Sequence, residues 1–290
     1  MFLPPSDFAA HYLCLRDGGF AVTPFGDEPL AEVVLERPPL LRVFGQVRYA
    51  TPTRFIASPD EVKSQLAALL ERDFPRFEIG RETTIALTPE GVVPVDTGPE
   101  LWRFASHDST WNVTVGSGFL TLDTSSYSTR TEFVTMFTGV WGAFLQVAGS
   151  VAVTRVGVRY VNRVVSPEFF DLLPTLVAPE ILGASRVGGP SVDVTQSMSE
   201  YLFQLDQKRV VLARWGQLPP GRVPDPALPA VDERSWVLDI DASISYESEP
   251  ELASSLDIPG NVAVLGATVH RFFRWAVNDE FLRYFGGKPA

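Results

Sequence analysis

Cysteine occurs once, at Cys14, and histidine three times, at His11, His107 and His270. A single thiol excludes a disulfide framework. So few imidazoles and thiols leave no His/Cys cluster for zinc; the sequence predicts no metal and no cofactor, with only a carboxylate site for magnesium or calcium left open. No apolar run reaches the roughly 18 residues that a membrane-spanning helix needs. The opening Met-Phe-Leu-Pro-Pro-Ser-Asp-Phe lacks the basic region and apolar core of a signal peptide, so the expected setting is cytoplasmic and without membrane. Basic charge is also scarce: the net charge is −11 and the pI near 4.8. That balance argues against nucleic acid, which demands a basic footprint, and suits a soluble protein with basic partners. There is no G-x-S-x-G elbow, no H-E-x-x-H helix and no dinucleotide fingerprint.

What the chain does have is alternation. Its 290 residues, 45% of them hydrophobic, suffice for one large domain or two small ones. The clearest strand is Val153–Val164. One face carries Thr154, Val156, Val158, Tyr160, Asn162 and Val164; the other carries Arg155, Gly157, Arg159, Val161 and Arg163. Three guanidiniums therefore share one side, each about 13 Å from the next along the strand, and they need anions from the protein or from a ligand.

Residues 1–30 read as an extension, with Phe8, Tyr12 and Leu15 lining one short helix. The remainder, 31–290, reads as a single domain. Leu41–Tyr49 alternates, with Arg42, Phe44, Gln46 and Arg48 on its polar side and Gly45 marking a bulge or close approach. Ser58-Pro59-Asp60-Glu61 predicts a capped helix with a Val62, Leu66, Leu69, Leu70 stripe, ended by Pro75. Strands follow at Thr83–Leu87, Leu101–Ser106, Trp111–Val115 and Phe119–Thr124. His107-Asp108-Ser109 and Gly116-Ser117-Gly118 are the hairpin turns of that meander. Thr129 and Glu132 open an aromatic-rich helix to Ala148, ended by Gly149. After a short helix near Glu168–Leu173 and a Gly188-Gly189-Pro190 break, strands recur at Val192–Leu205, Arg209–Trp215 and Trp236–Tyr246. A proline-rich loop, 217–234, interrupts them. Asn261 is the expected cap of a closing helix, with Asn278-Asp279 as a kink or second cap. The element order gives an α+β fold: a large antiparallel sheet in two β-rich halves, about 38–165 and 190–290, each followed by a long helix packed on the sheet.

The sequence resembles a sporadically distributed, uncharacterised bacterial protein family. The resemblance spans about 38–286. It is carried by Pro38-Pro39-Leu40, Trp102-Arg103-Phe104, Leu120-Thr121-Leu122 with Tyr127 and Phe133, Leu238-Asp239-Ile240-Asp241, His270-Arg271-Phe272-Phe273, and above all the R-x-G-x-R-Y-x-N run from Arg155 to Asn162. It implies the fold and an intracellular bacterial setting, and it brings no activity, because the family has none to transfer.

Candidate site residues are Arg155, Arg159, Arg163, Asp239, Asp241 and His270. The arginines either pair across strands with Asp239 and Asp241, hold an anionic ligand, or meet a protein partner. Asp239 and Asp241, two apart on one strand, point the same way about 6–7 Å apart, a distance compatible with acid/base work. His270 is either a structural histidine or one facing a ligand. His107-Asp108-Ser109 holds the residue types of a triad, but consecutive residues at a hairpin tip cannot form the relay. Two function classes follow. One is a non-catalytic binding or interaction protein with a protein partner or small anionic ligand, an Arg-lined anion site or apolar pocket, and a homodimer left open. The other is a cofactor-free enzyme acting on a small anionic substrate through Asp239, Asp241, Arg155 and Arg159.

Overall fold

The computed structural model describes residues 23–26, 30–81, 84–88, 91–95, 98–183, 194–223 and 228–289. The predicted helix through Phe8, Tyr12 and Leu15, the Gly188-Gly189-Pro190 break, and Pro224 and Pro226 lie outside these residues. In chain order the elements are β1 (Leu40–Tyr49), α1 (Thr53–Ala57), α2 (Pro59–Leu70), β2 (Arg76–Arg81), β3 (Thr84–Thr88), β4 (Gly91–Val95), β5 (Glu100–Ala105), β6 (Trp111–Val115), β7 (Phe119–Thr124) and α3 (Arg130–Ala148). Then come β8 (Ala152–Val164), α4 (Pro167–Leu176), α5 (Pro179–Leu182), β9 (Ser197–Gln204), β10 (Arg209–Leu218), β11 (Ser235–Ser245), β12 (Glu251–Leu252), α6 (Ile258–Ala276) and α7 (Asp279–Tyr284).

Ten strands make one antiparallel sheet in the order β2-β5-β6-β7-β1-β8-β11-β10-β9, with β12 against the start of β8; β3 and β4 pair as a separate hairpin. This is the expected α+β class with a large antiparallel sheet. The order contains a repeat of topology. β1-α2-β2-β5-β6-β7-α3 is a strand, a helix, a meander of four strands and a long helix, and β8-α4-β9-β10-β11-α6 follows the same plan with a meander of three. In each unit the last meander strand returns beside the first: β7 beside β1, β11 beside β8. The two first strands then pair antiparallel at the centre of the sheet. The repeat therefore divides between α3 and β8, and the arginine strand opens the second unit.

The helices lie on one face. Val43, Gly45, Val47 and Tyr49 of β1 turn toward it, as do Val156, Val158 and Tyr160 of β8 and Trp236, Leu238, Ile240, Ala242 and Ile244 of β11. Gly45 is where α3 comes down on the sheet: a Cβ there would stand 3.0–3.1 Å from the rings of Phe133 and Phe137. Apolar residues at helical spacing on α3 and α6 bury against these strands, which is the period match that fixes helix on sheet. Residues 23–26 pack here too, with Phe25 against Phe203 at 5.0 Å and Phe272 at 5.9 Å between centroids.

Local departures from the sequence reading have physical causes. Ser58 does precede α2, but α1 runs up to it and its side chain makes no cap bond, so no capping box forms. α6 starts earlier than Asn261, because Asp257 takes the cap, accepting from the Gly260 amide at 2.9 Å. Asn261 instead donates to the Tyr246 hydroxyl. Thr129 and Asn278 cap α3 and α7 as their sequences require. Leu69 is 44% exposed; Phe74, after the helix, is buried instead. β2 and β4 are additional strands; β2 shows four consecutive exposed residues, so burial leaves little pattern on it. β10 continues to Leu218, which shortens the proline-rich loop.

Candidate functional site

The face of the sheet away from the helices carries the arginines. Alternation on β8 sends Arg155, Gly157, Arg159 and Arg163 to this side, and alternation on β1 sends Arg42, Phe44, Gln46 and Arg48 beside them. The register then sets which residues meet. Arg159 faces Phe44 on one flank and Asp241 on the other, while Arg155 faces Arg48 and Ser245.

Two ion pairs cross from β8 to β11 diagonally. Arg159 donates from Nε and Nη2 to the two oxygens of Asp239, both at 2.8 Å. Asp239 is only 2% exposed, and Arg214 stands 3.9 Å from it on the far side. Arg155 donates from Nη2 to both oxygens of Asp241, at 2.8 and 3.0 Å. Gly157 makes that second pair possible. Arg155 lies back along its own strand, and a Cβ on Gly157 would stand 2.5 Å from its Nη1. The R-x-G-x-R spacing is thus a bare patch of backbone between two guanidiniums, over which the first one folds. Burial pushes the Asp241 carboxyl above its ordinary value even though Arg155 and Arg159 pull it down.

The expected cross-strand pairing is therefore present, and it does not use up the positive charge of this face. A cleft of about 820 Å³ opens over β5, β6, β7, β1 and β8. Arg42, Arg48, Arg76, Arg103, Arg155 and Arg159 line it, against Glu78, Asp123 and Asp241, and with Asp239 beneath Arg159 counted as well the balance is +2. The chain as a whole carries −11. Arg42 is paired with Asp123 at 2.7 Å, and Arg103 stands 3.5 Å from Glu78. Arg42 and Arg159 flank the Phe44 ring, 5.5 and 5.7 Å from its centroid. Arg48 is exposed and donates from Nε to the Gln46 Oε1 at 3.1 Å; Arg76 donates to the Ser109 hydroxyl. Neither has a carboxylate partner among the described residues. Like charges directly opposite on neighbouring strands repel. Arg48 and Arg155 are such a pair, with the Gln46 Oε1 between them and Asp241 as the counter-charge bound to Arg155.

The structure gathers four of the six sequence candidates here: Arg155, Arg159, Asp239 and Asp241. Arg163 shares their side of β8 but lies apart, 8% exposed beneath the proline-rich loop, donating from Nη1 to the Pro229 carbonyl at 2.5 Å. Burial lowers its pKa from the ordinary value. His270 is on α6, on the other face of the sheet, where burial and the charges of Arg130, Arg274 and Arg271 lower it to about 4. At the hairpin tip, Asp108 accepts from Ser106 and Thr110, and these bonds hold its carboxyl at about 2. It is a turn former, its oxygens taken by Ser106 and Thr110. Arg42, Arg48, Arg76, Arg103, Gln46 and Asn112 are the site residues that sequence patterning does not single out. The alternation of β1 puts its arginines on one side, but only the β1–β8 pairing puts them beside Arg155 and Arg159.

Among the described residues no group of three or more His, Cys, Asp or Glu side chains is placed to hold a metal ion, and no described helix is long and apolar enough to cross a membrane. A comparison with protein-family models finds no match, and a comparison with curated proteins finds none either.

Proposed function

We propose that this protein binds an anionic ligand, carboxylate or phosphate, in the cleft on the helix-free face of its sheet, and that it does so without catalysis. The observation that carries this reading is the net positive cleft, +2 with Asp239 counted, inside a chain of −11. Guanidiniums bind such anions through paired parallel hydrogen bonds. The volume, about 820 Å³, falls in the range of small-molecule sites. The setting we propose is cytoplasmic and bacterial, in line with the family resemblance.

The second reading, a cofactor-free enzyme acting on a small anionic substrate, has one observation in its favour. Asp241 lines the cleft and its pKa is raised, as an acid/base group's is. Asp239 does not support it, because both of its oxygens are held by Arg159 and it is buried.

Titration calorimetry with sulfate, citrate and inorganic triphosphate tests the binding reading. Saturable binding is expected, weakened at least about tenfold in Arg48→Glu with an unchanged melting temperature. Arg48 is exposed and makes no ion pair among the described residues, so its reversal is expected to leave the fold intact. No binding of any of the three, or equal binding by Arg48→Glu, overturns the reading.

A further inference from the structure

Two rows of the register floor the cleft: Ala105, Asn112, Asp123, Phe44 and Arg159, and beside it one that is uncharged along its middle. Arg103, Thr114, Thr121, Gln46 and Gly157 face one another in turn across β5, β6, β7, β1 and β8. The row runs across the strands, and its charge sits at the two ends. Arg103 stands at one end, opposite Glu78 on the neighbouring strand at 3.5 Å, with Arg76 two residues along that strand, so this end carries one net positive charge. The Arg48–Arg155 pair stands at the other. Between them are two hydroxyls and an amide, with Gln46 donating to Thr121 at 3.1 Å. Four strand spacings of roughly 4.8 Å separate β5 from β8, so the poles lie about 19 Å apart. Asp123, beside the middle of the row, is paired with Arg42 and Asn112 and gives a third negative group nothing to bind.

This pattern selects a ligand with two anionic groups joined by an uncharged, hydrogen-bonding spacer. Inorganic polyphosphate carries charge along its whole length. Single-stranded nucleic acid needs a succession of aromatic faces for its bases; the ring over the centre of the cleft, Phe44, is flanked by two guanidiniums, which leaves the exposed Phe77 ring at the β2 end. An extended peptide fits both requirements. Its amides match the threonine and glutamine side chains, its acidic side chains match the arginines, and at roughly 3.3 Å per residue about six residues cover the span. The overall negative charge is no obstacle at contact, since charges beyond about 8 Å are largely screened at physiological salt.

We propose that the cleft takes an extended acidic peptide segment laid across the strands, with two carboxylates about five or six residues apart, one at Arg103 and one at the Arg48–Arg155 pair. This rests on the anion-binding reading above. The experiment is fluorescence polarisation on the full chain at about 0.15 M salt, with labelled peptides of two glutamates separated by about one, three, five or seven Gly/Ser residues. The five-residue spacer is expected to bind at least about tenfold more tightly than the one-residue spacer. Arg103→Ala should remove that advantage while leaving the short peptide unchanged, and Arg48→Ala should weaken both. Substituting phosphoserine for glutamate reports whether the poles favour phosphate over carboxylate within the same geometry. Affinity independent of spacer length, or an Arg103→Ala variant that keeps the advantage, overturns the proposal. So does tighter binding of oligothymidylate or polyphosphate than of any peptide. If sulfate and citrate bind through Arg48 while no spacer is preferred, this inference falls and the anion-binding reading stands; if no anion binds, both fall.

Discussion

Arg159 grips Asp239 with two 2.8 Å hydrogen bonds across the β8–β11 seam, and Asp239 is almost wholly out of water. Removing Arg159 from this pair leaves a buried charge with Arg214 3.9 Å away. Arg159→Ala is therefore expected to destabilise the protein by about 3–5 kcal/mol. Denaturant unfolding measures it, and a loss under about 0.5 kcal/mol, the size of an ordinary surface change, sinks the idea.

Gly157→Ala separates the fold from the site. The new Cβ meets the far end of a flexible side chain, not backbone, so Arg155 swings away from Asp241. The strand keeps its pairing, and replacing glycine by alanine lowers the entropy of the unfolded chain by a few tenths of a kcal/mol up to about 1. Stability is expected to stay within about 1 kcal/mol of the parent protein, while sulfate affinity drops several-fold. A large fall in melting temperature would show that the glycine serves the backbone instead.

Asp241 gives the proposed anion binding a pH dependence. Its folded-state pKa is raised, so between the ordinary and the raised value the folded protein holds a proton that the unfolded chain has lost. Stability from this group thus falls as pH rises through that window and levels off above it. Binding moves the same way: below the raised pKa Asp241 is neutral, the cleft gains one net positive charge, and sulfate, which does not titrate here, should bind more tightly. Calorimetry at stepped pH measures the rise, and Asp241→Asn should flatten it. A variant with the parent's pH profile would assign the dependence to other groups.

Tyr49 fastens β1 to the β6–β7 hairpin from the helix face. Its hydroxyl lies 2.9 Å from the carbonyls of both Gly116 and Phe119, and burial pushes its pKa well up. Tyr49→Phe removes the donor; the Phe119 carbonyl keeps the Gly116 amide at 2.9 Å while the Gly116 carbonyl loses the hydroxyl, at a cost of about 1 kcal/mol. Thermal unfolding checks this; an unchanged melting temperature would mean that water replaces the hydroxyl.

Much of the fold was legible because it rests on period. Trp111–Val115 and Phe119–Thr124 are strands with the bounds their alternation predicts, and the aromatic spacing of α3 required a helix. The Gly45 close approach was legible too, since a glycine inside an apolar strand marks the place where something comes near. Helix starts were less so. Ser58 and Asn261 are good caps by type, but a preceding helical turn and a nearer aspartate decided otherwise.

For the candidate site, the sequence by itself determined three things: that Arg155, Arg159 and Arg163 share a side, that Asp239 and Asp241 share a side, and that Arg42 and Arg48 share a side. Alternation is a local property and fixes faces within one strand. Which strands become neighbours is non-local. Tertiary structure alone decided that β8 lies between β1 and β11, so that the aspartates neutralise part of the arginine face and β1 adds to it. It also set Arg163 under a loop and His270 behind the sheet. Pairing register is selected by the packing of the whole apolar face against α3 and α6, and no single strand carries that information.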